Sequence, residues 1–336
     1  MQNKKDREIL LSHGSGGKAS KDLLSMVYNI LGDVVINRGE DSGLISTTEK
    51  SAMTTDSYVI DPIFFPGGDI GKLSIYGTVN DLAMVGAKPK FITVSLLLEE
   101  GFSFSSLEKI LHSIKEAAKE TGVKIAAGDT KVVSKGKLDK IFVNTAGVGK
   151  IIHAQDISSQ NAQVGDDIIV SGDIGDHGTA IMAHRNKFES KLKSDCASVY
   201  PLVEKLIEAN VEIHTLRDPT RGGLASILNE IAFSSRVDIE LEETKIPIKN
   251  TVQGICDALG IDPLYMACEG RVVIVSPSSN TEKVLEILHK EASGKNAAHI
   301  GKVINKSQNP NLLLKTFIGS RRILPLLTRE QTPRIC

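Results

Sequence analysis

The last residue of the chain is a cysteine, Cys336, closing the stretch Leu326-Leu-Thr-Arg-Glu-Gln-Thr-Pro-Arg-Ile-Cys336, which has no glycine and no helical apolar period. Flanked by polar residues at a chain end, where segments are usually mobile, this thiol is not expected in a core. A free thiol on a mobile end is an oxidation liability unless it is used. From Gly319 the chain reaches at most about 55 Å to its end at roughly 3.3 Å per residue, enough to carry the sulfur into a cleft elsewhere or to another protein. Taken alone, the stretch is equally consistent with a disordered terminus and an incidental cysteine.

The second chemical signal is a set of acidic residues beside glycines in the first half. The loop His13-Gly-Ser-Gly-Gly-Lys18 is not a Walker A motif, because Ser12 stands where the first glycine should be and Ala19 where a magnesium-binding hydroxyl should be. Its glycines still permit a phosphate to be wrapped by backbone N–H groups; a flexible loop is the competing reading. Glu40-Asp41-Ser-Gly, Thr54-Thr55-Asp56-Ser57, Thr78-Val-Asn80-Asp81-Leu-Ala-Met and Ala127-Gly128-Asp129-Thr130-Lys131 each place an Asp beside small or hydroxyl residues. They fall at strand ends or in an otherwise apolar helix, where an unpaired carboxylate is costly. One such Asp reads as a cap or turn residue. Several together with a glycine loop point to magnesium and nucleotide phosphates, because Mg²⁺ recruits carboxylates one or two at a time alongside phosphate oxygens and water.

The elements that must position these groups alternate between strand and helix in both halves, giving an α/β (α+β) class with two domains. Phe91–Leu98 and Lys140–Val148 read as buried strands. Between them a helix is expected from Ser105, with Glu108 completing a capping box and Gly122 as its stop. The first domain ends near His153, polar residues 154–163 form the linker, and a second α/β domain runs to 318, leaving 319–336 as a mobile tail. Lys plus Arg (40) balances Asp plus Glu (41), so nothing marks a polyanion partner such as nucleic acid. The four cysteines form no CxxC pair, which excludes a zinc knuckle or disulfide framework and fits a reducing, cytoplasmic setting. No signal peptide is expected, and no apolar run approaches the ~18 residues of a membrane span.

The motifs Pro62-Ile-Phe-Phe-Pro-Gly-Gly-Asp-Ile-Gly-Lys-Leu73, Gly77-Thr-Val-Asn-Asp-Leu-Ala-Met84, Gly128-Asp-Thr-Lys-Val-Val133, Gly172-Asp-Ile-Gly-Asp-His-Gly178, Arg217-Asp-Pro-Thr-Arg-Gly-Gly-Leu224, Ala267-Cys-Glu-Gly-Arg271 and Pro333-Arg-Ile-Cys336 follow in order from the glycine loop onward. Together they resemble the HypE family of hydrogenase maturation proteins, carbamoyl dehydratases of the aminoimidazole ribonucleotide synthetase-like ATP-binding superfamily. The terminal Pro-Arg-Ile-Cys separates that family from the small-molecule kinases and ligases of the superfamily. The resemblance implies that a HypF-like carbamoyltransferase loads Cys336 and that ATP-dependent dehydration turns the S-carboxamide into a thiocyanate. Cyanide then passes to iron on a HypC–HypD-like scaffold. A homodimer is implied as well.

By the same resemblance, residues 1–153 bind ATP and dimerise, Gly16 and Gly17 cover the triphosphate, and Asp56, Asn80, Asp81 and Asp129 hold the nucleotide. Asp41, Asp56, Asp81 and Asp129 face Mg²⁺, while Lys131 and Glu269 remove amide protons. A lysine base requires burial or a cationic neighbour to lower its pKa; a phosphate-binding Lys131 and a structural ion pair for Glu269 remain open. His177 reads as a local hydrogen-bonding residue or a cleft residue, Asp218 and Arg221 as a pair at a helix start or as residues that orient phosphate, and Cys268 as a small buried residue. Arg334 or a cation of a partner is expected to compensate the terminal thiolate. A nucleotide-binding interaction protein with a docking tail, or a superfamily kinase or ligase, is the alternative function.

Overall fold

A computed structural model describes residues 17–19, 21, 22, 25, 43–46, 50–328 and 331–336. Period-two alternation in β2 (Lys50–Tyr58) buries Ala52, Thr54 and Tyr58 and turns Met53 and Thr55 outward. With β1 (Gly43–Ser46), β5 (Ala87–Glu99), β6 (Lys124–Val133) and β7 (Ile141–Ile151) it forms a sheet in the order β1-β2-β7-β5-β6. All pairs are antiparallel except β5 and β6, whose parallel pairing needs the crossover helix between them. A small hairpin, β3 (Phe64–Phe65) with β4 (Gly68–Asp69), leads into α1 (Ile70–Met84).

Helix α1 is apolar around nearly its whole circumference, and such a helix belongs inside. Of its 15 residues only Lys72 and Asp81 are not buried. Asp69 caps it, accepting from the amides of Gly71 (2.8 Å) and Lys72 (3.0 Å). The crossover helix α2 (Phe104–Thr121) starts earlier than the capping-box reading suggests. Ser103, rather than Ser105, accepts from the amide three residues on, and Glu108 has no part in the cap. Gly122 ends the helix at φ 72° as expected.

The second sheet has the order β14-β13-β10-β12-β8-β11-β9, built from β8 (Asp166–Val170), β9 (Thr215–Arg217), β10 (Val237–Glu242), β11 (Val273–Pro277), β12 (Ala298–Lys306), β13 (Leu312–Lys315) and β14 (Arg321–Ile323). Only β10 and β13 run parallel, which makes the mixed class α+β. Helices α3 (Asp176–Arg185), α4 (Tyr200–Glu208), α5 (Gly223–Ser235), α6 (Asn250–Leu259) and α7 (Thr281–His289) cover it. Tyr200, Leu202, Val203 and Leu206 of α4 share one hydrophobic cluster with Ile70, Leu73 and Tyr76 of α1, so the halves have a common core. No described helix is long and apolar enough to cross a membrane.

The polar stretch 154–163 is held down by the second half: Gln155 bonds Val211 and Ile213, and Ser158 O accepts from Thr215 Oγ1 at 2.7 Å. One segment departs from its sequence reading. The expected tail from 319 is shorter, because β14 pairs antiparallel with β13, Leu324 is fully buried, and Tyr265 Oη donates to Pro325 O at 2.7 Å. The reach from Leu327 to the terminus is therefore about 30 Å.

Candidate active site

Alternation along β2 turns Thr54, Asp56 and Tyr58 toward α1, and the four-residue helical spacing puts Gly77 and Asp81 on one side of that helix. Thr54 Oγ1 donates to Asp81 Oδ2 at 2.8 Å, and Asp56 Oδ1 accepts from the Ser57 amide at 2.7 Å. Glycine is required at 77, where a Cβ would stand 2.3 Å from Tyr58 Oη. The Tyr58 hydroxyl lies 3.3 Å from Thr78 Oγ1, and burial pushes its pKa well above the ordinary value, so it stays protonated.

The opposite wall comes from the second half. The turn between β9 and α5 supplies Asp218, Thr220 and Arg221. It packs closely because Gly223, at φ +62°, leaves room where a Cβ would stand 2.6 Å from Met266 O. Glu269 lies in the loop before β11, and its backbone is pinned: its amide donates to Asp195 Oδ1 at 3.1 Å and its carbonyl accepts from Ala197 N at 3.2 Å. Between the walls is a cavity of about 170 Å³ lined by Thr54, Thr55, Asp56, Tyr58, Gly77, Asp81, Asp218, Thr220, Arg221, Glu269 and Cys336.

The terminal thiol therefore stands inside the site. Cys336 is 7% exposed and belongs to the common hydrophobic core with Ile335, against the expectation that this polar-flanked residue would stay out of a core. Arg221 Nη1 donates to its sulfur at 3.5 Å. Burial pushes the Cys336 thiol up to about 12, with Arg221 pulling it down and Glu269 and Asp56 adding to the rise. Glu269, 3% exposed, is raised well above the carboxylate range by burial and then by Asp218, Asp195 and Asp56, and its Oε1 is buried without a hydrogen-bond partner. Asp218, 5% exposed, is pushed up to about 6 by burial, opposed by Arg217.

Cys336, Glu269, Asp56 and Asp81 thus converge as the sequence suggested. Asp129 and Lys131 do not line the cavity. They sit on the exposed strand β6, paired with each other at 3.5 Å, with side chains 56% and 72% exposed. The burial that a lysine base needs is lacking there. Asn80, expected on the nucleotide, is 1% exposed and fastens α1 to the second half instead: its Oδ1 accepts from Val199 N at 2.8 Å and its Nδ2 donates to Ala197 O at 3.0 Å. Gly17 packs on Leu327, whose carbonyl accepts from Lys18 N at 2.6 Å. Gly16 and Asp41 lie outside the described residues. Among the described residues, no group of three or more His, Cys, Asp or Glu is arranged to hold a metal by itself.

Sequence reasoning missed that Arg221 faces the sulfur and that Asp218 lines the cavity with Glu269, having set a pairing of the two ahead of a phosphate-orienting role. It also gave Arg334 the role of cation at the thiol. Arg334 instead ion-pairs with Asp139 and donates to Val59 O at 2.9 Å. The available signal was the charge beside paired glycines in Arg217-Asp-Pro-Thr-Arg-Gly-Gly, the same cue that marked the first half. Cys268 is buried as expected, its sulfur accepting from Gly175 N at 3.1 Å.

Two mixed layers with a carboxylate-lined cavity between them define an AIR synthase-related two-domain protein. The chain matches the AIR synthase related protein N-terminal domain over residues 39–151 and the corresponding C-terminal domain over 163–309. It is 44% identical over 331 residues to the carbamoyl dehydratase HypE of Bradyrhizobium diazoefficiens, covering 97% of this chain and 95% of that one. A HypE structure from a HypE–HypF complex is similar with a TM-score of 0.84 at 43% identity, covering 90% of this chain and 100% of that one. HypE in complex with ATP gives 0.83 at 42% identity, covering 98% and 100%. The chain belongs to the HypE family.

Proposed function

We propose that the chain is an ATP-dependent carbamoyl dehydratase acting on a carbamoyl group carried by its own Cys336, and that it supplies the cyanide ligand for the iron of nickel–iron hydrogenase. The observation that carries this reading is the Cys336 sulfur inside a cavity with Asp56, Asp81, Asp218, Glu269 and Arg221. A mere docking tail has no need of its thiol among these groups, and a small-molecule kinase or ligase would have its substrate space filled by the chain end.

In the docked state a thiol at about 12 is almost never a thiolate near neutral pH. Loading therefore takes place on the undocked tail, by a HypF-like carbamoyltransferase. Back in the cavity, the amide oxygen of the S-carboxamide takes the terminal phosphoryl group of ATP, releasing ADP. One N–H proton passes to the Glu269–Asp218 pair. The C–O bond then breaks, and phosphate leaves with the second N–H proton, giving R–S–C≡N, ADP and HPO₄²⁻. One base suffices for this balance, which removes the need for Lys131. After burial, Asp218 is the largest cause of the rise in Glu269, so ionisation of one carboxyl disfavours ionisation of the other.

The donor set fits magnesium. Two carboxylates, Asp56 and Asp81, open on the same cavity, and Mg²⁺ is commonly bound by one or two carboxylates, with phosphate oxygens and water completing its coordination. When bound, it neutralises the charge that develops on the transferring phosphoryl group. The product passes to a HypC–HypD-like iron scaffold in the cytoplasm, where four free cysteines stay reduced. A homodimer is supported by the lateral row Met53, Val148 and Phe91 on the outer face of the first sheet, whose two end residues are 45% and 52% exposed.

Intact-mass analysis before and after carbamoyl loading and ATP addition tests the reading. The thiocarboxamide mass should convert to the thiocyanate mass only with ATP. ATP hydrolysis at the same rate with and without loading of Cys336 would overturn it.

A further inference from the structure

A backbone oxygen of each of the last four residues meets a donor. Pro333 O accepts from Arg185 Nη1 at 2.6 Å, and Arg334 O accepts from Arg185 Nη2 at 2.6 Å and from the Asp61 amide at 3.2 Å. Ile335 O accepts from His177 Nε2 at 2.7 Å, and Cys336 O from the Val59 amide at 3.3 Å. Arg185 is itself aimed by a 2.7 Å bond from its Nε to Asp61 O. His177 is fully buried, with the ring of Phe65 edge-on to it. A nitrogen facing a carbonyl must carry the proton, so Nε2 is protonated and Nδ1 takes the Ser194 hydroxyl at 2.7 Å. Arg334 adopts φ 51°, a conformation that a non-glycine residue holds only when its surroundings compel it, and its ion pair with Asp139 and bond to Val59 O do so.

We propose that His177 and Arg185 of α3, with Asp139, form a binding site for a carboxyl-terminal Pro-Arg-Ile-Cys peptide that reads its backbone carbonyls and its arginine rather than its thiol. They are positioning residues. Matching a backbone oxygen on each of four consecutive residues fixes the register of the chain end, and the register decides that the Cys336 side chain enters the cavity. Because none of these contacts is to sulfur, the site takes the same end whether the cysteine is free or carries a carbamoyl group. Release of these bonds hands the thiol to solvent, where a loading partner meets it. The inference rests on the reading of Cys336 as the carrier, yet docking is measurable without any turnover.

The test is the rate of N-ethylmaleimide labelling of each cysteine in the native full-length protein, followed by peptide mass spectrometry. Cys196, Cys256 and Cys268 are buried and report on the fold, Cys256 and Cys268 from hydrophobic clusters that do not include the chain end. Arg185→Ala should raise the Cys336 rate at least roughly tenfold, the scale expected when hydrogen bonds from a charged donor are lost, with the other three rates unchanged. Asp139→Asn alters a side chain 43% exposed, where folding is not at risk. It should raise the Cys336 rate about two- to fivefold, as loss of a largely exposed ion pair does. An unchanged Cys336 rate in Asp139→Asn, or a rise at all four cysteines together in Arg185→Ala, would overturn the site. Faster Cys336 labelling in both variants of a protein that makes no thiocyanate would keep the docking site and remove the dehydratase reading.

Discussion

The two walls of the cavity present the same functional group under opposite conditions. On the first wall, Asp56 and Asp81 are partly exposed and accept from Ser57 N and Thr54 Oγ1. On the second, Asp218 and Glu269 are nearly sealed from water, Glu269 has an unpartnered Oε1, and burial raises both. Carboxylates beside solvent and hydrogen-bond donors suit a cation such as Mg²⁺, which recruits one or two of them. Carboxyls that burial raises above the ordinary carboxylate range suit acid–base work. The terminal thiol lies where the two environments meet, with Arg221 as the adjacent cation.

The largest test of this division is to remove what both walls serve. Cys336→Ala should abolish carbamoylation and thiocyanate formation while leaving nucleotide binding intact. Carbamoylation retained on that variant, read by intact mass, would show that another residue carries the group. On the buried wall, Glu269→Gln should accept the carbamoyl group and bind nucleotide yet dehydrate about a hundredfold or more slowly, the usual range for losing a general base. The thiocarboxamide should accumulate, and thiocyanate forming at the normal rate would exclude Glu269 as base.

Asp218 separates the walls by stability as well as rate. Its folded-state pKa is raised from 3.8 to about 6, so the stabilisation from its protonated form is complete below 3.8 and is lost as pH rises through about 6. Asp218→Asn should therefore slow dehydration while stabilising the fold by up to about 3 kcal/mol at pH 7 and above, and hardly at all near pH 4. Denaturant midpoints that do not diverge from wild type with rising pH would sink this assignment. In the wild type, dehydration should rise as pH increases through the range in which Asp218, raised to about 6, gives up its proton, since one ionised carboxyl is needed to accept the amide proton. The cation-binding wall should show the smallest loss. Asp81→Asn should lower Mg²⁺-dependent ATP turnover by at least about tenfold, or roughly 1.4 kcal/mol of transition-state stabilisation. Unchanged turnover in a folded variant would remove Asp81 from the site.

Residue order by itself determined what depends on near neighbours. Alternation in Lys50–Tyr58, the all-round apolar face of Ile70–Met84 and the glycine at 122 each follow from a few adjacent residues, and the folded chain keeps all three. The thiol at the chain end was equally plain. What only the tertiary structure decided is which of these local features meet. Asp129 and Lys131 have the same local look as Asp56 and Asp81, yet β6 leaves them at an exposed edge. Asn80 faces a loop about 120 residues away in the sequence rather than a phosphate (117 to Ala197). Arg221, 115 residues from Cys336, reaches the sulfur, whereas Arg334, two residues from it, is drawn off by Asp139. Burial and charge act through space, so the pKa of a carboxyl or thiol is set by groups from several distant segments, and only the folded core brings those segments to one cavity.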